Sequence, residues 1–210
     1  MIGEDVLAPK VERRSQAERR DEAEQRLLAA AVRLVGERGL ERITLSEVGE
    51  AAGYSRGLPA HYFGGKSGMV VSLVQHIIDG FGRALLRAEH HDLGMDRLLG
   101  TVAFYFKAAR RDPIGARALS VLLVEGLNND LVADRLAALN ARSAGAFEAN
   151  LAAAVAAGEV RADIDVKAQA ILILATLRGV VGQWLLAPHD IDLAAVSAAF
   201  ITALRRSLVP

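Results

Sequence analysis

The sequence contains no cysteine. Disulfide scaffolds, thiolate-rich zinc sites, iron–sulfur clusters and cysteine nucleophiles are therefore excluded. Proline is scarce, with 5 in 210 residues, and aromatic residues make up only 5%. Net charge is missing as well, because 25 basic residues balance 25 acidic ones. That balance argues against a protein that coats nucleic acid by bulk electrostatics, while leaving room for a local basic face opposite an acidic one. No long apolar run is uninterrupted. Ile171 to Leu186 is shorter than the roughly 20 residues of a bilayer span and contains Arg178 and Gln183, so it reads as a buried helix, with no membrane partner expected. Met1 to Arg20 carries charge throughout, unlike a secretory signal, and the expected location is cytoplasmic.

What is present is helix. Hydrophobic residues account for 52% of the chain, and no stretch alternates apolar with polar as a half-buried strand would. The fold class expected is all-α, with about nine helices. Residues 1–14 lack periodicity and read as a flexible arm. Ser15 and Glu18 form a capping box that opens the first helix; Leu27, Leu28, Ala31, Leu34 and Val35 line one face of it, and Gly39 ends it. Thr44 and Glu47 form a second capping box, with Ile43 and Val48 placed as a hydrophobic staple. Ser55 is expected to cap a third, very short helix reaching about Tyr62, before the Gly64-Gly65 break. Residues 15–65 thus read as a three-helix head, and 66–210 as a bundle of longer helices near 66–89, 95–110, 113–127, 130–157, 165–186 and 191–207. Asp112-Pro113 and Asp165 mark N-termini, Gly158 a C-terminal cap and Pro188 a stop.

The informative stretch runs from Thr44 to Phe63. A capped helix, a turn built on Gly53 and a second short helix are the ingredients of a helix-turn-helix, whose second helix lies in the major groove. Ala51 and Ala52 are small enough for close helix approach, above an apolar seam of Val48 and Phe63. Arg56 is a planar fork suited to a guanine edge, while Tyr62 and Lys66 can donate to phosphates. Gly57 removes a side chain where the helix nears the groove, Leu58 suits a thymine methyl, and the helix starts at Thr44 and Ser55 present free amides to phosphate. His61 reads either as a DNA contact or as a residue that caps the helix end or packs on Phe63. The basic cluster Arg13, Arg14, Arg19 and Arg20 is offset by neighbouring carboxylates, so a solvated face competes with a minor-groove contact.

In these features, Gly39-Leu40, the Thr44 cap, Ala52-Gly53, Ser55-Arg56-Gly57, His61-Tyr62-Phe63 and Lys66, the sequence resembles the TetR/AcrR family of bacterial transcription regulators. The second part resembles it too, from Ala157-Gly158-Glu159-Val160-Arg161 through Gly179 to Gln183-Trp184-Leu185-Leu186. Family members usually carry an apolar non-proline residue at Pro59 and a tyrosine at Ala60. With Ser55 as the cap, Pro59 is the fourth helical residue and removes the first intrahelical bond, so a distorted or late helix start is expected.

The resemblance implies a homodimeric repressor on double-stranded operator DNA, two heads reading a pseudo-palindrome one helical turn apart. It implies dimerisation through the last two long helices, where Ile171, Leu174, Leu177, Val181 and Leu185 recur at helical spacing, as do Leu193, Val196, Phe200 and Leu204. It also implies release by a small-molecule ligand that moves the helix starting near Lys66. Phe104, Tyr105, Phe106, Arg117, Glu125, Asn128 and Trp184 are candidate pocket walls, being aromatic or polar. Three adjacent aromatics cannot all face one way, Arg117 and Glu125 could equally pair with surface charges, and Trp184 suits core or dimer packing.

No cofactor and no metal are expected: His90-His91-Asp92 has adjacent histidines that diverge on a helix, without H-x-x-x-H spacing. No glycine-rich phosphate loop, nucleophile elbow or paired carboxylate motif points to an enzyme. The competing classes are a helical partner-binding protein that no longer reads DNA and, behind it, a helical enzyme.

Overall fold

The computed structural model describes residues 15–88 and 92–210. The flexible-arm reading of 1–14, the arginines at 13 and 14, and the histidine pair at 90 and 91 all lie outside these. Among the described residues there are nine α-helices and no strand: α1 Gln16–Arg38, α2 Leu45–Ala51, α3 Leu58–Phe63, α4 Lys66–Ala88, α5 Met95–Arg111, α6 Pro113–Glu125, α7 Asp130–Ala156, α8 Val166–Leu186 and α9 Leu193–Leu208.

Local chemistry sets most of the boundaries. Ser15 and Glu18 satisfy each other's backbone amides at the start of α1, and Thr44 and Glu47 repeat the arrangement at α2. Ile43 and Val48 are both buried, as a staple requires. The Asp112 carboxylate accepts from the Gly115 amide with Pro113 in the first turn of α6, and Asp165 accepts from Ala168 at α8. Asp192 accepts from Ala194 and Ala195, which starts α9 two residues later than the spacing suggests.

Two apolar cores stabilise the molecule, and they do not divide at residue 65. The first joins α1, α2 and α3 to Met69, Leu73, Val74 and Ile78 of α4, then continues into Ala118 and Leu122 of α6 and Val132 and Leu136 of α7. The second is built by α5, α7, α8 and α9 around Leu98, Val102, Phe106, Leu151, Ile173 and Leu177. Head and bundle are therefore joined by continuous packing through α4 and α6. At the head, α1 runs so close to α6 that a methyl added at Gly36 would sit 2.4 Å from the Ile114 carbonyl oxygen.

The polar ties are few and specific. Asn150, at 4% exposure, is the one buried polar or charged residue among those described. Its Oδ1 accepts from the Gly94 amide and its Nδ2 donates to the Ala146 carbonyl, while Glu159 Oε2 accepts from the Met95 amide at 3.0 Å. Together they satisfy the first amides of α5, whose own flanking residue, Gly94, has no side chain to do so. Helix α8 has 21 residues and, by length and composition, is apolar enough to cross a membrane. In the bundle its Ala170, Ile173, Leu174, Leu177, Val181 and Leu185 face inward, so one side of it packs as a core helix.

Candidate nucleic-acid interface and ligand groove

The head presents a helix-turn-helix with one correction to its second helix. Ser55 is not the cap of α3. The helix begins at Leu58, Gly57 occupies the cap position without a side-chain hydrogen bond, and the Ser55 carbonyl instead accepts from the Leu58 amide within the preceding turn. Pro59 is thereby the second helical residue rather than the fourth. The first amides of a helix have no intrahelical acceptor, so proline forfeits nothing there; of the two outcomes expected at Pro59, the late start is the one found, with Leu58 rather than Arg56 as the first helical residue. Pro59 is also buried, against Gly49 of α2. A methyl on Gly49 would lie 2.6 Å from the Ser55 carbonyl oxygen and 3.1 Å from Pro59 Cδ. The close approach of the two helices therefore occurs at Gly49, not at Ala51, which is exposed. Gly53, at φ 79°, makes the turn.

Arg56 projects from that turn with 77% of its side chain exposed, and its Nε pairs with the Glu50 carboxylate of α2. Tyr62 is half-buried. Its hydroxyl donates to the Arg20 carbonyl of α1 at 3.3 Å, and the Arg20 guanidinium lies 5.9 Å from its ring centroid. Lys66 Nζ donates to the Glu41 carbonyl at 3.3 Å. His61 is exposed and meets Tyr62 edge-on, at 6.0 Å between centroids, rather than Phe63. Leu58 packs partly into the first core. Thr44 is engaged in its own capping box, its hydroxyl donating to Glu47 Oε2 at 2.9 Å. These bonds hold the Glu47 carboxyl below its ordinary value, with Arg38 adding to the effect. Arg56, Gly57, His61 and Lys66 are thus each exposed, while Thr44, Leu58 and Tyr62 are partly committed to holding the head together.

In the bundle, the candidate wall residues do not converge. Phe106 is core, meeting Phe200 edge-on at 6.4 Å, and Trp184 packs against the same core. Arg117 donates to the Leu185 carbonyl at 2.9 Å, tying α6 to the end of α8. Glu125 accepts from Asn129, and Asn128 is exposed in the turn before α7. Phe104 is half-buried on α5. Tyr105 differs, because it reaches Arg178 of α8. Burial raises the Tyr105 hydroxyl and lowers the Arg178 guanidinium relative to their ordinary values, each opposed by the other's presence.

Arg178 stands at one end of a groove of about 540 Å³ between α7 and α8. The α7 side is formed by Asn140, Ala141, Ala144, Gly145 and Glu148, and the α8 side by Lys167, Ile171, Leu174, Ala175 and Arg178. None of these appears among the sequence-derived wall residues. A mid-helix arginine within a long apolar run is the signal that could have found the groove.

The dimer candidates divide. Leu174, Leu177, Val181, Leu185, Leu193 and Leu204 are buried inside the protomer's own second core, where they hold α8 and α9 onto α5 and α7. They are not a free face. Ile171 is 52% exposed, and Val196 and Phe200 are half-buried. The outward side of α8 carries Ala168, Leu172, Gly179, Gln183 and Leu186, and that of α9 carries Ala194, Ala195, Ala198, Ala199, Thr202 and Ala203.

Comparison with known proteins agrees with this architecture. The family model for bacterial regulatory proteins of the tetR family matches residues 27–73, and that for the C-terminal part of BetI-type transcriptional repressors matches residues 94–209. The chain belongs to the tetR family. The HTH-type transcriptional regulator BetI of Brucella canis is 33% identical to this tetR-family chain over 85 residues, 40% of the chain and 43% of that relative. The chain thus matches less than half the length of that relative. A TetR transcriptional regulator from Chloroflexus aurantiacus superposes with a TM-score of 0.80 at 18% identity, covering 90% of this chain and 96% of that one. The transcriptional regulator FadR of Bacillus subtilis, solved in complex with stearoyl-CoA, superposes with a TM-score of 0.76 at 20% identity, covering 87% and 98%. At those identities the likeness shows the tetR-family fold alone.

Proposed function

We propose that this chain is a homodimeric transcriptional repressor that binds a pseudo-palindromic operator in double-stranded DNA and leaves it when a small molecule occupies the bundle. The observation that carries the reading is the head: an unstrained helix-turn-helix with Arg56, His61 and Lys66 exposed and Pro59 seated in the first turn of α3. Arg56 reads a base edge, and Lys66 and Tyr62 position phosphates once their hydrogen bonds to the Glu41 and Arg20 carbonyls are exchanged for contacts to DNA. Binding of DNA also assigns the protein to the cytoplasm.

Dimerisation uses the outward side of α8 and α9. Leu172 is 60% exposed and Leu186 82% exposed, and between them Gly179, on the side of α8 away from the groove-lining Ala175, lets a second helix come near. A two-fold interface on this face buries apolar surface that the protomer leaves in water and fixes the spacing of two heads. Ligand control is supported by the continuous packing from bundle to head through α4 and α6. A ligand that prefers one bundle conformation shifts head spacing by its differential affinity, and DNA opposes the ligand equally.

A nuclease footprint on DNA around the protein's own gene tests the reading. Two protected half-sites related by a dyad and one helical turn apart are expected. Protection with no dyad, or none at all, would contradict it.

A further inference from the structure

Arg178 brings a cation to the inner end of the α7/α8 groove, and its surroundings give it only neutral partners. Its guanidinium donates to Asn140 Oδ1 and is hydrogen-bonded with the Tyr105 hydroxyl. Its Nε is buried with no hydrogen-bond partner among the described residues. A guanidinium offers five donors and no acceptor, and a half-buried one is costly unless an anion faces it. The carboxylate that lines the groove, Glu148, lies two helical turns away from Asn140 along α7, about 12 Å at 1.5 Å per residue, beyond the reach of an ion pair. Between the two ends the floor is small and apolar, formed by Ala141, Ala144, Gly145, Leu174 and Ala175. Burial lowers the Arg178 guanidinium from its ordinary value, in keeping with a charge deprived of water.

We propose that this groove binds a small organic anion with a slender apolar body. Its planar anionic head pairs with Arg178, which Tyr105 holds from behind, and takes a further hydrogen bond from the Asn140 amide, and its hydrocarbon lies on the alanine and glycine floor. The volume of about 540 Å³ suits one small molecule. A cationic ligand is disfavoured, since it would meet Arg178 at the inner end and find no aromatic ring along the lining residues. The inference deepens the ligand-control reading above and rests on it for its regulatory meaning.

Calorimetric titration of the purified full-length protein without DNA tests the groove, with octanoate as the probe beside octanol and octyltrimethylammonium. Octanoate is expected to bind roughly tenfold or more tightly than octanol, as a charge-assisted pair requires, and the ammonium not measurably. Arg178→Gln should remove that preference while octanol binding persists, and Arg178→Lys should restore part of it. Asn140→Asp, which supplies Arg178 with an internal carboxylate without removing it, should abolish the preference in a protein whose helical circular dichroism is unchanged. Absent octanoate binding, equal affinity for octanoate and octanol, or a preference that survives both Arg178→Gln and Asn140→Asp would overturn the proposal. No DNA is involved, so failure to read an operator does not change the outcome of this titration. Release from an operator by another compound, with no octanoate bound, would reject the groove and leave the regulator reading standing.

Discussion

Arg56 and Glu50 form an ion pair across the turn of the helix-turn-helix, joining the residue best placed to read a base to the helix that precedes it. The pair is solvent-exposed, so it contributes little to stability, and its importance lies in what Arg56 gives up on meeting DNA. Glu50→Gln frees the guanidinium and removes a negative charge from the rim, so affinity for DNA rises. Arg56→Ala acts oppositely, relaxing base preference and costing about 1–3 kcal/mol at the preferred site. Lys66→Ala weakens all duplexes alike and lowers the salt slope by about 1. Competition binding on matched and base-substituted duplexes separates the three.

Close packing at two glycines gives a stability prediction. Gly36→Ala drives a methyl into the Ile114 backbone, and Gly49→Ala drives one into the Ser55 carbonyl and Pro59. Each is expected to cost about 1–3 kcal/mol in denaturant unfolding, as overpacking does. Gly57→Ala is the control, because its added methyl meets nothing within 4 Å.

Asn150 tests the polar tie between α7 and the start of α5. Asn150→Leu leaves the Gly94 amide without its acceptor in a buried position and is expected to destabilise by about 1–3 kcal/mol. A denaturation midpoint unchanged by this substitution would show that water serves the amide equally well.

Glu47 gives the chain a defined acid sensitivity. Hydrogen bonds from the Thr44 side chain and backbone, then Arg38, lower its carboxyl from the ordinary value. A carboxyl depressed by folding adds stability above its unfolded value, near 4.3, and that contribution is lost as pH falls through the folded value. Unfolding midpoints should fall on acidification below about pH 5, and Glu47→Gln should flatten that part of the profile.

The outward and inward faces of α8 should respond differently to substitution. Leu172→Arg or Gly179→Arg places charge on the exposed side and is expected to yield a folded monomer in sedimentation, with weakened operator binding. Leu177→Ala removes a fully buried side chain and is expected to cost about 2–5 kcal/mol of protomer stability.

The sequence discloses helix starts well where the signal is local. Ser15 with Glu18, Thr44 with Glu47, and the carboxylates of Asp112 and Asp165 each act on an amide three residues away, so type and spacing suffice. The start of α3 was only partly legible: Pro59 announced a late start, but not which residue would open the helix. Ser55 has the chemistry of a cap, but the packing of Pro59 against Gly49 moves the helix start to Leu58, a decision made by tertiary contact. Helix α8 is apolar on nearly every side, so periodicity could not tell its core face, with Leu177 and Val181, from its outward face, with Leu172 and Gly179. Phe104 to Phe106 attracted the pocket reading because aromatics are conspicuous, yet Phe106 fills the core, and the groove lining is small, aliphatic and charged, with no aromatic ring.

The central claim is that this head reads its own DNA. Binding of the purified protein to duplex from around its gene, titrated against salt beside a pool of random duplex, tests it most directly. The account predicts a preference for the native duplex that persists at near-physiological salt after non-specific binding has weakened. Equal affinity for the two duplexes across the titration would contradict it.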